Sequence, residues 1–369
     1  MLRSIVKGSV ATALHSLGAE KVLGARVTRQ NLPLIICYHR VVESFEESAR
    51  QSIPSLLVGA DTFGLHLDWI GRHYDYATLD EVLVEFKRVR ANGKARRRPL
   101  AAITFDDGYA DVLHNAVPIL NRKGIPSTMF VVTDLVGSTD FQMHDELYLL
   151  GSHLLRQDGV HRRLAAQEFL SELTIDESRG VILRQRFEEA DPYRFARAVL
   201  EILSEAEQVA ALRWLKQNVA VDCEASESFR ALSWSELADM QRRDVMIGSH
   251  TRSHALLPQV TPQVMAEELK LSRQVLEQKL GRPVKHFAYP DGRFCRESIN
   301  AVADAGYQGG YTICSHRDAS HPTLTIPRKV FWEHTCSDRR GHFSPAILSC
   351  QVNGIFDPAR LCTHQHGPL

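Results

Sequence analysis

Two short stretches carry residues whose types and spacing suit metal-assisted chemistry. Thr104-Phe105-Asp106-Asp107-Gly108-Tyr109 sets two adjacent carboxylates where an apolar run gives way to a glycine. Ser249-His250-Thr251-Arg252-Ser253-His254 follows another apolar run and Gly248, and its two histidines, four apart, can share one ion across a helical turn. Adjacent side chains on an extended backbone diverge, so Asp106 and Asp107 are expected to take different jobs, one binding a metal and the other handling a proton. The blander alternative makes one aspartate a helix cap and leaves the other solvated. Two imidazoles and one carboxylate with open positions suit zinc, with iron, cobalt or nickel as substitutes. Such an ion lowers the pKa of bound water from about 15.7 to about 7, which makes hydrolysis the natural reaction class.

For that chemistry the two stretches must meet, and the surrounding pattern supplies the means. Leu34–Tyr38, Leu100–Phe105, Thr128–Val132, Val245–Ile247 and Val284–Ala288 read as strands buried on both faces. After Asp107-Gly108, Val112, Leu113, Ala116, Val117 and Leu120 recur at helical spacing, and Gly124 and Pro126 end the helix before the next strand. Thr261-Pro262 opens a second helix with Met265, Leu269, Leu276 and Leu280 on one face, ending at Gly281. Strand, helix, strand order implies an α/β fold with a parallel sheet, open or closed into a barrel, whose functional rim is the C-terminal end of the strands. Asp106, Asp107, His250 and His254 all sit at such ends, as does His39, for which a structural hydrogen bond is the competing reading. Tyr109 and Tyr289 either line a cleft or pack. Residues from about 138 to 232 lack strand runs and read as a helical insertion, in which His144, Asp145 and Glu146 mark a polar helix start. The expected divisions are an N-terminal helical segment 1–30, a barrel 31–335 carrying that insertion, and a C-terminal extension 336–369.

Composition narrows the class. The 369 residues include 44 Lys+Arg against 44 Asp+Glu, and this zero net charge removes the case for a general nucleic-acid binder. The basic run from Lys87 through Arg98 reads as a solvated loop. Seven cysteines without CxxC spacing fit a reducing compartment better than a disulfide framework. The first 23 residues suit an amphipathic helix and make neither a convincing signal peptide nor a membrane span, so a cytoplasmic location is expected, with membrane-surface contact left open.

The two motifs, together with Phe287-Ala288-Tyr289-Pro290-Asp291-Gly292 and Tyr38-His39-Arg40-Val41, resemble the successive motifs of the polysaccharide deacetylases, carbohydrate esterase family four. The resemblance spans roughly 34–132 and 233–330. It implies a distorted (β/α) barrel with fewer than eight strands, in which Asp106 is the general base and Asp107, His250 and His254 hold a divalent metal, most simply zinc. It further implies N-deacetylation of an N-acetylated sugar in a polysaccharide or glycan precursor, in exopolysaccharide or envelope synthesis, with a backbone N–H near Asp291 helping to stabilise the oxyanion. Two departures stand out. Ala288 occupies the place of an arginine that steadies the base, with Arg328 as a replacement, and the histidine that protonates the leaving amine has no clear counterpart among His316, His321 and His334. Three rival readings remain: hydrolysis of another amide or an O-acetyl ester at the same site, a catalytically silent glycan-binding barrel, and a membrane-peripheral part of a polysaccharide-assembly complex.

Overall fold

The computed structural model describes residues 2–20, 23, 32–93, 96–220, 229–314 and 316–356. Cys223, Cys362 and Lys94 lie outside them. The described chain divides into two compact units, one of Met1–Phe45, Ser55–Ser138 and Ala231–Leu369, the other of Glu46–Pro54 and Thr139–Arg230.

The strands of the larger unit are β1 (Leu34–Tyr38), β2 (Arg40–Val42), β3 (Leu57–Gly59), β4 (Asp75–Tyr76), β5 (Leu100–Phe105), β6 (Ser127–Val131), β7 (Val245–Ser249), β8 (His286–Ala288), β9 (Gly309–Thr312), β10 (Ile326–Pro327) and β11 (Lys329–Val330). The main sheet runs β10-β9-β8-β7-β6-β5-β1-β11, with β4 beside β5, and β2 pairs separately with β3. Every pairing in the main sheet is parallel. The two ends of the run are consecutive in the chain, with only Arg328 between them. The Arg328 N–H donates to the Thr312 carbonyl on β9 at 2.9 Å, and the Phe331 N–H donates to the Cys37 carbonyl on β1 at 2.8 Å. One extended segment thus stitches both edges and closes the sheet into the distorted (β/α) barrel that the motifs implied.

Strand parity decides what faces the interior. Ile36, Tyr38, Ile103, Phe105, Met129, Val131, Ile247 and Phe287 join the cluster beneath the surrounding helices. Their neighbours Ile35, Ala102, Phe130, Ala288, Tyr311 and Ile326 form a second, inner cluster. That inner cluster is completed by Leu79, Val82, Leu83 and Phe86 of the helix Leu79–Asn92, which is started by a reciprocal Thr78–Glu81 capping box. Asp80 on this helix meets His286, the first residue of β8, at 3.2 Å, which sets the helix under the N-terminal end of the barrel. The interior is therefore filled from below, and chemistry is left to the opposite rim.

Helices follow their sequence signals. Thr261 caps Pro262–Leu280, which stops at the left-handed Gly281. After Asp107-Gly108 the chain makes a π-helical turn, Val112–Ala116, before the helix Val117–Lys123. The first helix, Leu2–Ser16, packs through Ala11 and Leu14 on Ala346, Ile347 and Cys350 of the helix Pro345–Val352. Among the described residues no helix is long and apolar enough to cross a membrane. Part of the basic run is neutralised locally, since Arg88 and Arg96 both meet Glu85 and Arg98 meets Asp75.

The smaller unit is helical, built from Met143–Leu155, Gly159–Ser171, Glu177–Glu189, Pro192–Ile202 and Glu205–Asn218 around Phe169, Phe187, Phe195 and Trp214. Asp145 is buried there, and Glu146 is paired with Lys216 at 2.7 Å.

One buried group in the larger unit predicts a pH response. His66 lies among Tyr38, Phe331 and Phe343, and its Nδ1 is 3.2 Å from the Tyr38 hydroxyl. Burial drops its pKa to about 3. The unfolded chain protonates this histidine near its ordinary pKa of about 6.5, so its contribution is fully present above that pH and drains away as pH falls toward the folded value. Between pH 7 and pH 5 the expected loss is about 2 kcal/mol. Urea unfolding should show that slope in the wild type and a flatter one in His66→Gln; equal slopes would contradict it.

Candidate functional site

The interior face of the strands continues upward into the site. Ile35 and Cys37 lead to His39, Ala102 and Thr104 to Asp106, Met246 and Gly248 to His250, and Ile326 to Arg328. Parity alone would send Asp107 outward. Instead its backbone turns left-handed, at φ 72°, and its Oδ1 comes to 3.6 Å from His250 Nε2 and 3.4 Å from His254 Nε2. Gly108, at φ 85°, follows directly, and a side chain there would press on Val131. The strand end thus brings two consecutive carboxylates into one site with distinct surroundings.

Asp106 is buried and clasped. Arg328 donates from Nη1 to Oδ1 at 2.7 Å and from Nη2 to Oδ2 at 2.6 Å, a two-pronged contact. The same guanidinium reaches Thr104 Oγ1 at 3.2 Å and stacks over the Phe130 ring at 5.3 Å. The Cys37 thiol adds a third contact, 3.3 Å from Oδ2. Burial pushes the Asp106 pKa upward, but the Arg328 charge and hydrogen bonds together with the nearby His250 and His39 outweigh it and hold the carboxyl well below its ordinary range. Arg328 is supplied by the segment that closes the barrel, not from the Ala288 position.

Asp107, His250 and His254 offer one oxygen and two nitrogens within 4.8 Å of one another. His250 Nδ1 is 2.7 Å from the Ala288 carbonyl oxygen, so Nδ1 carries the proton and donates it, leaving the Nε2 lone pair directed at Asp107. This set suits a divalent ion. A second convergent group, Cys37, His39 and Asp106, does not. Both Asp106 oxygens already accept from Arg328, and burial pushes the Cys37 thiol well above its ordinary pKa, away from the thiolate a metal needs.

Other residues singled out in the sequence have different placements. Tyr289 shares the outward face of Phe287 and lies fully buried against Phe287 and Phe294, so the structure does not bring it to the cleft. Tyr109 is buried beneath the Arg40 guanidinium, 5.0 Å from its ring. Asp291 sits in a tight turn at φ 54° and pairs with Arg293 at 2.9 Å. His321 lies 3.5 Å from Asp318, His316 is near Phe294, and His334 is flanked by Phe45 and Trp332. Cys37 was not singled out; inward strand parity next to His39 was the signal available.

Comparison with known proteins gives the family and the fold. The family model described as polysaccharide deacetylase matches residues 93–165 and 183–310, which include Asp106, Asp107, His250 and His254 but neither His39 nor Arg328. The poly-beta-1,6-N-acetyl-D-glucosamine N-deacetylase of Staphylococcus epidermidis is 31% identical over 137 residues, covering 33% of this chain and 46% of the relative. The Staphylococcus aureus protein of the same name is 30% identical over 125 residues, 32% of this chain and 41% of the relative. The chain thus spans less than half the length of these curated relatives. Among solved structures, the Streptococcus pyogenes deacetylase PplD in complex with acetate aligns with a TM-score of 0.51 at 19% identity, over 86% of this chain and 96% of that one. IcaB from Ammonifex degensii aligns with a TM-score of 0.51 at 15% identity, over 87% and 97%. At these identities the structures speak for the fold alone.

Proposed function

The chain belongs to the polysaccharide deacetylase family, and on that premise we propose that it is a metal-dependent hydrolase removing N-acetyl groups from a glycan of N-acetylated amino sugars. The observation that carries the reading is the pairing of two sites at one rim. Asp107 Oδ1 faces two imidazole nitrogens, and beside it Asp106 is held ionised in the grip of Arg328.

Asp107, His250 and His254 would hold a divalent cation, and zinc best matches two imidazoles with one carboxylate. When bound, such an ion supplies Lewis acidity toward the acetyl carbonyl oxygen and lowers the pKa of water. Asp106 takes a proton from the attacking water. A carboxylate has about four acceptor positions, and Arg328 uses one on each oxygen while Cys37 uses a second on Oδ2. One on Oδ1 is left for that proton. A new C–O bond forms from the water oxygen, the C–N bond breaks, and the departing nitrogen needs a proton. His39, whose ring nitrogen converges with Asp106 and Cys37 within 4.8 Å, is assigned that donation. The products are acetate and a free amino sugar.

His39→Gln should therefore lower kcat by about 10²-fold with metal content unchanged; unchanged kcat would remove His39 from the mechanism. The staphylococcal relatives are named for poly-β-1,6-N-acetyl-D-glucosamine, which makes oligomers of that polymer the first substrates to try, in the setting of exopolysaccharide synthesis. The test is a panel of such oligomers, nucleotide-linked N-acetyl sugars and O-acetyl esters. The reading expects acetate and free amine in equal amounts from the oligomers. Cleavage of the esters alone would replace the amide assignment.

A further inference from the structure

The five-residue span from His250 to His254 has to present two imidazoles to one point, and its backbone is held in an unfavourable shape to do so. Thr251 and His254 are both left-handed, at φ 67° and 64°, although neither is glycine. Such a conformation is disfavoured for a residue with a side chain and persists only where its surroundings over-determine it. The carbonyl side of the span is held from the end of β6, by the Thr133 N–H to the Thr251 carbonyl at 3.3 Å and the Asp134 N–H to the Arg252 carbonyl at 2.9 Å. The amides of Arg252 and Ser253 are both held by one residue. Glu268 Oε2 accepts from the Arg252 N–H at 2.8 Å and the Ser253 N–H at 2.9 Å, and Glu268 Oε1 accepts from Ser253 Oγ at 2.9 Å. The Arg252 guanidinium lies 3.6 Å from the same carboxylate.

Glu268 is only 3% exposed and sits on the buried face of the helix Pro262–Leu280, between Met265 and Leu269 on one side and Ser272 on the other. A carboxylate on a core-facing stripe is costly unless fully hydrogen-bonded. Here every hydrogen bond and ion pair of the carboxylate goes to Arg252 and Ser253, two of the three residues between the histidines that bracket the site. We propose that Glu268 is a positioning residue for the metal centre: its carboxylate fixes the backbone of Arg252 and Ser253, and so sets the separation and aim of the His250 and His254 rings. This rests on the metal reading of Asp107, His250 and His254.

The test reads metal binding directly, without substrate. Co²⁺ is titrated into metal-stripped wild-type chain, Glu268→Gln and Ser253→Ala, with the visible cobalt absorption and competition against a chelator as readouts, and a thermal melt of each metal-free protein. Wild type is expected to take up one Co²⁺ with a defined spectrum. Glu268→Gln, which keeps the shape but loses the charge and one acceptor, should bind about 10–100-fold more weakly and with an altered spectrum. Ser253→Ala, which removes one of three hydrogen bonds, should fall between them and carries the test if Glu268→Gln does not fold. Wild-type affinity and spectrum in a folded Glu268→Gln, or in Ser253→Ala where it alone folds, would overturn the positioning role while sparing the metal site. Failure of the wild type itself to bind Co²⁺ would overturn both.

Discussion

Asp106→Asn is expected to lower kcat by about 10²–10⁴-fold, the range associated with removing a general base, while bound metal per chain stays at the wild-type level. The expectation follows from the division of labour at the rim. The proposed ligand atoms are those of Asp107, His250 and His254, and both Asp106 oxygens accept from Arg328. The amide keeps the size of the carboxylate but offers one acceptor where Arg328 presents two donors, so some stability is lost as well. Activity therefore has to be normalised to folded, metal-loaded protein. Metal lost in parallel with activity would mean that Asp106 is part of the ion's coordination. Full activity would remove it as the base.

The second large effect is on stability. Arg328→Met should destabilise the larger unit by about 3–5 kcal/mol near neutral pH, because it strands the Asp106 charge in a buried site. The pH dependence of that deficit has a definite sign. In the wild type, Arg328 holds the Asp106 pKa below its unfolded value, so the pair contributes stability above about pH 4 and loses it as pH falls toward the folded value. Without Arg328, burial is left as the leading influence and raises the folded pKa, so the penalty is full at neutral pH and eases as acid protonates Asp106. Denaturant unfolding of metal-free protein should show the gap between wild type and variant narrowing from pH 7 to pH 4. A gap constant with pH would mean that the lost energy is packing against Phe130 and Thr104, not charge. Replacing both partners, with Arg328→Met and Asp106→Leu, should recover much of the stability and none of the activity.

Much of the barrel was legible because its strands are buried on both faces. Leu34–Tyr38 and Leu100–Phe105, the second broken only by Thr104, read as apolar runs with the bounds the structure gives them. The two-residue strands were not legible: Ile326–Pro327 and Lys329–Val330 are too short to show a period, and their importance comes from closing the ring. Arg328 could be named as a replacement for the missing arginine, but its reach to Asp106 spans 222 positions in the sequence, a contact that no local pattern encodes. Asp107 shows the opposite case. Strand alternation alone predicts that it diverges from Asp106, and the left-handed turn before Gly108 brings it back.

Two further features have a signal in the sequence itself. Tyr289 is two residues from Phe287, so strand parity already put it on the helix-covered face. Glu268 interrupts the apolar stripe Met265, Leu269, Leu276, and a carboxylate in that position asks for a partner. Its partners, the Arg252 and Ser253 amides, emerge only when the helix packs against the loop after β7. The segment 46–54 groups with the helical insertion, and nothing in its composition signals that.

The most direct test of the central claim is acetate release from a β-1,6-linked N-acetylglucosamine oligomer, measured on the same wild-type preparation at stepwise metal loading. The account predicts no release from the stripped protein, release rising in proportion to bound metal up to one ion per chain, and one free amine formed per acetate. Release that persists in the stripped protein, or a chain fully loaded with metal that frees no acetate from any N-acetylated glycan, would contradict it.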